Sequence, residues 1–166
     1  MKTPICELCA ASGSLCNNCE SRLSSGALSQ LDVEVSRLLY KYRSHFSLDD
    51  VELAQILNMG RLVILVTSSD AGLLIGKKGR VVNALSKDLG MKIRIVQKTG
   101  DVKRMVEELL LPVRITGMNL VYKQGGEQEY RVRIHSQDVP RLPSDLIALE
   151  AALHKLTGQK ISVALE

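Results

Sequence analysis

Residues 72–82 read Gly-Leu-Leu-Ile-Gly-Lys-Lys-Gly-Arg-Val-Val, a two-lysine Gly-x-x-Gly loop set directly between apolar segments that suit helices. Glycines at both ends of the loop, Gly76 and Gly79, remove the side chains that keep a sugar-phosphate chain away from the main chain. The amides that open the following helix face anionic oxygens. Lys77, Lys78 and Arg80 add positive charge at the point of closest approach, beside the apolar Ile75. A strand-like run, residues 62–67, precedes the loop, and another, residues 92–97, follows one helix later. The order strand, short helix, loop, helix, strand is the main constraint on the fold.

A P-loop also combines glycine, lysine and a helix start, but its spacing differs. Three residues rather than four separate Gly72 from Gly76, and Lys78 stands where Ser or Thr would hold magnesium. The bland alternative is a glycine turn between two core helices with solvated lysines. Charge distribution favours the binding reading. From residue 76 to 98 seven basic residues face one acid, Asp88, whereas residues 101–166 hold nine of each sign. A local positive field of this kind favours a polyanion with salt-dependent affinity. With one Phe, four Tyr and no Trp, an aromatic stacking platform is disfavoured. Ile75, Val81, Val82, Leu85, Ile93 and Ile95 can furnish an aliphatic groove and the core beneath it.

All four cysteines fall in the first nineteen residues, as Cys6-x-x-Cys9 and Cys16-x-x-Cys19. Two such pairs supply four thiolates for a closed tetrahedral Zn2+ site, with Ser12-Gly13-Ser14 turning between them. No position is left for water, so the metal is expected to be structural. Disulfides, a redox dithiol and an iron-sulfur cluster are weaker alternatives for this paired spacing.

The 166 residues, 45% of them apolar, allow one domain or two small ones. No apolar run is long enough to span a bilayer, and the first five residues lack a signal-peptide core. A soluble, cytoplasmic protein with no membrane partner is expected. Helical spacing predicts an amphipathic helix over residues 27–44. A second helix is expected from Ser47 to Gly60, capped by Ser47 with Asp49 and Asp50 in its first turn. Shifting the sequence by 68 residues aligns 131–164 with 63–96 without a gap, giving nine identities in thirty-four columns, among them Leu85/Leu153, Gly90/Gly158 and Lys92/Lys160. The second copy gains a helix near 101–110 and strands near 113–121 and 130–135. Its loop columns are Ser144, Asp145, Leu146 and Ile147, which suit an ordinary helix start and repel phosphate. His45, His135 and His154 are scattered, and no catalytic constellation can be read from spacing.

The order around Gly76-Lys77-Lys78-Gly79 is that of a KH domain, a module that clamps about four nucleotides of single-stranded nucleic acid. Together with Leu89-Gly90-Met91-Lys92-Ile93, the loop resembles the first KH domain of archaeal NusA-like transcription factors. Cys16-Asn17-Asn18-Cys19 leading into residues 31–35 looks like a zinc-bearing variant of that family. The resemblance implies an α+β chain: a zinc module (1–26), a helical segment (27–60), a KH domain with the GKKG loop (61–100) and a degenerate KH-like domain (101–166), both of type II. It also implies that residues 76–79 contact RNA backbone while the aliphatic groove holds bases. The expected partner is single-stranded RNA, with RNA polymerase or ribonucleoprotein proteins as further partners. An adaptor docking on such an assembly through the zinc module, and a redox dithiol protein, are the rival readings.

Overall fold

The computed structural model describes residues 1–166, which form two compact units, Met1–Gln97 and Lys98–Glu166. In the first, the run Leu-Val-Ile-Leu-Val-Thr forms a strand, β2 (Leu62–Thr67), with every residue buried. A strand apolar on both faces belongs at the centre of a sheet. Here β1 (Leu53–Asn58) pairs antiparallel on one side and β3 (Lys92–Gln97) parallel on the other. Parallel neighbours require a crossover, which consists of helix α4 (Ala71–Ile75), a 3-10 turn (Lys77–Gly79) and helix α5 (Arg80–Leu89). Leu74, Val81 and Leu85 of the crossover pack with Val63, Leu65 and Ile95 of the sheet. Helix α3 (Gln30–Tyr42) closes this core with Val35, Leu39 and Tyr42. It starts at a capping box: Asp32 N–H donates to Ser29 Oγ and Ser29 N–H to Asp32 Oδ2 (3.2 and 2.7 Å).

The segment expected as a second helix is β1 instead, and Asp49 and Asp50 precede it as a turn. A bulge between Leu53 and Gln55 explains the misleading spacing. The extra residue moves the next core-facing position from 55 to Ile56, so a strand shows the i, i+3 signature of a helix. Tertiary pairing then decides, because β1 takes β2 on one edge and Lys2 on the other. Lys2 N–H donates to Val51 O (2.8 Å) and Leu53 N–H to Lys2 O (2.9 Å).

Ahead of α3, the short helices α1 (Glu7–Ser12) and α2 (Asn17–Ser24) carry the cysteines. Ile5, Cys9, Ala10 and Cys19 form a small core with Leu28 and with Val33 of α3.

The second unit contains α6 (Val102–Leu110), β4 (Gly117–Tyr122), β5 (Gln128–Ile134), α7 (Leu146–Thr157) and β6 (Lys160–Leu165). Its sheet order is β4-β5-β6, antiparallel then parallel, and a 3-10 segment (Ser136–Arg141) stands in the place of α4. Both units therefore follow the α-β-β-α-α-β order. From the second crossover helix onward the 68-residue offset holds: α5 and α7 end in left-handed Gly90 and Gly158, and β3 and β6 begin at Lys92 and Lys160. In the parallel ladders, however, Lys92 faces Leu62 whereas Lys160 faces Glu129, an offset of 67. The gap-free alignment is corrected accordingly: one additional residue lies between β5 and α7, and Val132 rather than Arg133 occupies the position of Leu65.

Candidate nucleic-acid interface and metal centre

Helix α4 is only five residues long. Asp70 caps it by accepting Gly72 N–H (2.9 Å), and Gly76 ends it with φ 76° and ψ 167°, a conformation essentially confined to glycine. A Cβ on Gly76 would lie 2.6 Å from Val81 Cγ2 and 2.9 Å from Val81 N. The loop thus folds directly onto the first turn of α5 with no room for a side chain. Lys78 (φ 57°) and Gly79 (φ 74°) are both left-handed, and Gly79 N–H closes the turn on Gly76 O (3.0 Å). No side chain caps α5, so its positive end is open to an anion. Lys77, Lys78 and Arg80 are exposed, and no acidic side chain forms an ion pair with them.

Among the aliphatic candidates, Val81, Leu85 and Ile95 are core residues with no free face, Val82 and Ile93 are half-buried, and Ile75 is open at 39% exposure. A different side chain comes to the loop unannounced. Phe46, from the turn after α3, lines a cavity of about 310 Å³ together with His45, Gly72, Gly76, Lys77 and Arg80. The Arg80 guanidinium carbon lies 5.6 Å from the Phe46 ring centroid. This is a single ring beside the loop, not an aromatic stacking platform. Its only sequence signal was a lone phenylalanine after the α3 periodicity, and the contact is tertiary.

The corresponding columns of the second unit are built differently. Asp145 caps α7 by accepting Ala148 N–H (2.8 Å), and the helix already begins at Leu146. A carboxylate occupies the helix end that α5 leaves open, so phosphate is repelled.

At the other centre, Cys6 and Cys16 stand at the N-caps of α1 and α2, with Cys9 and Cys19 in the first turns. All four Sγ atoms lie within 4.8 Å of one another. Zinc–sulfur bonds of ~2.3 Å in a tetrahedron imply sulfurs about 3.8 Å apart; Cys6 Sγ lies 3.2 Å from that of Cys9 and 3.9 Å from that of Cys16. Backbone amides also point at the sulfurs, Cys16 N–H at Cys9 (3.0 Å) and Cys19 N–H at Cys16 (3.5 Å). The Cys19 amide, helped by the thiols of Cys9 and Cys19, lowers Cys16 to about 6. At Cys9 the Cys16 amide pulls the same way, but the Cys6 thiol, burial and the remaining thiols outweigh it and push Cys9 up to about 12. Four thiolates this close together would need a cation, and this cluster can hold a metal ion through all four residues.

The family profile of the KH domain matches residues 61–111. The chain carries a KH domain there. That span contains β2, the Gly76–Gly79 loop, both crossover helices, β3 and α6, and a KH domain supports RNA binding in general. A crystal structure of the protein APE1850 is similar at 24% identity, covering 75% of this chain and 96% of that one with a TM-score of 0.49. No curated protein sequence matches the chain. No helix is long and apolar enough to cross a membrane.

Proposed function

We propose that the chain is a non-catalytic single-stranded RNA-binding protein that clamps the RNA backbone at residues 76–79. The observation that carries this reading is the glycine-closed turn over an uncapped α5, with unpaired Lys77 and Lys78 beside it. Lys77, Lys78 and Arg80 hold phosphate, the amides of Gly79 and the first turn of α5 orient it, and Ile75 offers the apolar contact to bases. The four cysteines hold a structural zinc, which supplies folding energy to a segment too short to fold alone. Thiolates on zinc suit the reducing cytoplasm. Transcription elongation or termination and ribosome-related RNA metabolism are the settings that the NusA-like resemblance suggests.

The test is fluorescence anisotropy of a mixed-sequence single-stranded RNA across a salt series. Lys77→Asp/Lys78→Asp keeps both glycines and is expected to lose at least a hundredfold in affinity. The slope of log K against log salt falls by about 1.4, the value for two lost phosphate contacts on a single strand. Equal binding by both proteins defeats the reading. For the metal, one equivalent of zinc released by a chelator, with loss of α1 and α2 helicity, is expected; reversible disulfides without metal would favour the redox reading. The adaptor reading is favoured by exposed apolar side chains in both of its modules, Leu8 (78%) on α1 and Ile147 (82%) on α7. It predicts that RNA affinity is indifferent to the lysines.

A further inference from the structure

Phe46 is the only phenylalanine in the chain, and its ring is fixed relative to the loop rather than carried on a floppy turn. His45 and Phe46 both donate their N–H to Tyr42 O (2.9 Å each), folding the turn back on the end of α3. The Phe46 ring meets the Tyr42 ring edge-on, centroids 6.0 Å apart and planes at 90°. Tyr42 is itself tied to α5, its hydroxyl donating to Ala84 O (3.0 Å) and to Asp88. A half-exposed aromatic face is thus held over the cavity beside the loop.

The chemistry of the walls is specific. Gly72 and Gly76 contribute bare backbone to the lining, Phe46 contributes its ring, and the Arg80 guanidinium lies over that ring. His45, Lys77 and Arg80 supply the rim, and no acidic residue lines the cavity. A cavity with a ring, a planar cation and a basic rim matches a planar ring attached to phosphate. Its volume of about 310 Å³ is at the bottom of the range of ligand pockets, enough for a single base. Leu73 lines the cavity while Ile75, about 200° away around α4, does not. Gly72, about 60° from Ile75, lines it as well, so the cavity lies to one side of Ile75.

We propose that the Phe46–Arg80 cavity takes one nucleobase of the strand held at residues 76–79, outside the nucleotides on the Ile75 side. This rests on the loop being the phosphate clamp, because Gly76, Lys77 and Arg80 belong to both. A strand passing over them also passes the mouth of the cavity, and the entering base stacks on the Phe46–Arg80 pair, in which the guanidinium already lies over the ring.

The lone phenylalanine makes the test direct. Protein labelled with 13C only in phenylalanine is titrated with a random-sequence single-stranded RNA octamer and with its base-free ribose-phosphate counterpart. The Phe46 ring resonances are expected to shift with the RNA and stay fixed with the base-free chain. Phe46→Leu is expected to bind RNA about tenfold more weakly, the scale of one base–aromatic stack, and the base-free chain as before. Stationary Phe46 resonances in the RNA complex overturn the proposal, as does unchanged RNA affinity of a folded Phe46→Leu. The ring signal is read on the unmutated protein, so it decides the matter even where the variant does not fold. Lys77→Asp/Lys78→Asp separates the two readings. If it loses both ligands while Phe46 stays silent, the clamp stands and the base slot fails. If it binds both like the unmutated protein, or if the unmutated protein binds neither, the clamp fails and the slot with it.

Discussion

Two loops occupy the same place in the two copies of one topology, and they treat a helix end in opposite ways. At residues 76–79 glycine bends the chain onto Val81, α5 is left without a side-chain cap, and the lysines have no acidic partner. At residues 144–147 Asp145 satisfies α7, and four of that unit's basic side chains, Arg104 among them, are paired with acids. Lys123 meets Glu129 at 2.5 Å, Arg141 meets Asp138 at 3.3 Å and Arg133 meets Glu166 at 3.6 Å. The more exposed pairs, Arg141–Asp138 and Arg133–Glu166, contribute little stability, but each pair reduces the field that would draw in a polyanion. The comparison teaches that the topology is not the binding site. On the proposed reading, binding requires a helix end and a set of charges left unsatisfied within the protein.

The largest expected effect comes from closing the open loop. Gly76→Ala places a Cβ 2.6 Å from Val81 Cγ2 in a backbone conformation reserved for glycine. It should cost roughly 3 kcal/mol, read as a fall of about 10 °C in melting temperature, whereas Ser144→Ala, in the matching column, should leave it nearly unchanged.

The second effect tests the paired charges. Lys123, with Ser162 assisting, holds Glu129 at about 2, below the ~4.3 of an unfolded chain. A depressed carboxyl contributes stability that is complete above pH 5 and is lost as pH falls from about 4.3 through 2. Urea midpoints of the unmutated protein should therefore drop across that window, and those of Glu129→Gln should drop less. Equal slopes would show that the pair contributes nothing. The smallest effect is at the second helix cap. Asp145→Ala should cost about 1 kcal/mol and leave RNA affinity unchanged, so a gain in RNA binding would mean that the carboxylate alone silences this loop.

Strands β2 and β3 were legible residue for residue, because a continuous β-branched run and the Lys92–Gln97 alternation admit little else. The cysteine centre was equally legible, since two Cys-x-x-Cys pairs carry their geometry in their spacing. β1 was not. Its bulge gives Leu53 and Ile56 helical spacing, and pairing with β2 and Lys2 overrides that local signal. The one-residue slip between β5 and α7 was hidden because the matched Lys92/Lys160 and Gly90/Gly158 columns all lie beyond it. Phe46 could not be assigned to the site from sequence, as twenty-nine residues separate it from Gly76 and only the fold of α3 against α5 brings them together.

The most direct measurement of the central claim is an amide chemical-shift map of the unmutated protein titrated with mixed-sequence single-stranded RNA, because it reads both loops in one sample. The account predicts that amides of residues 76–82 shift or broaden as RNA is added, while those of residues 144–150 remain in place. Comparable changes at both loops, or changes confined to residues away from 76–82, would contradict it.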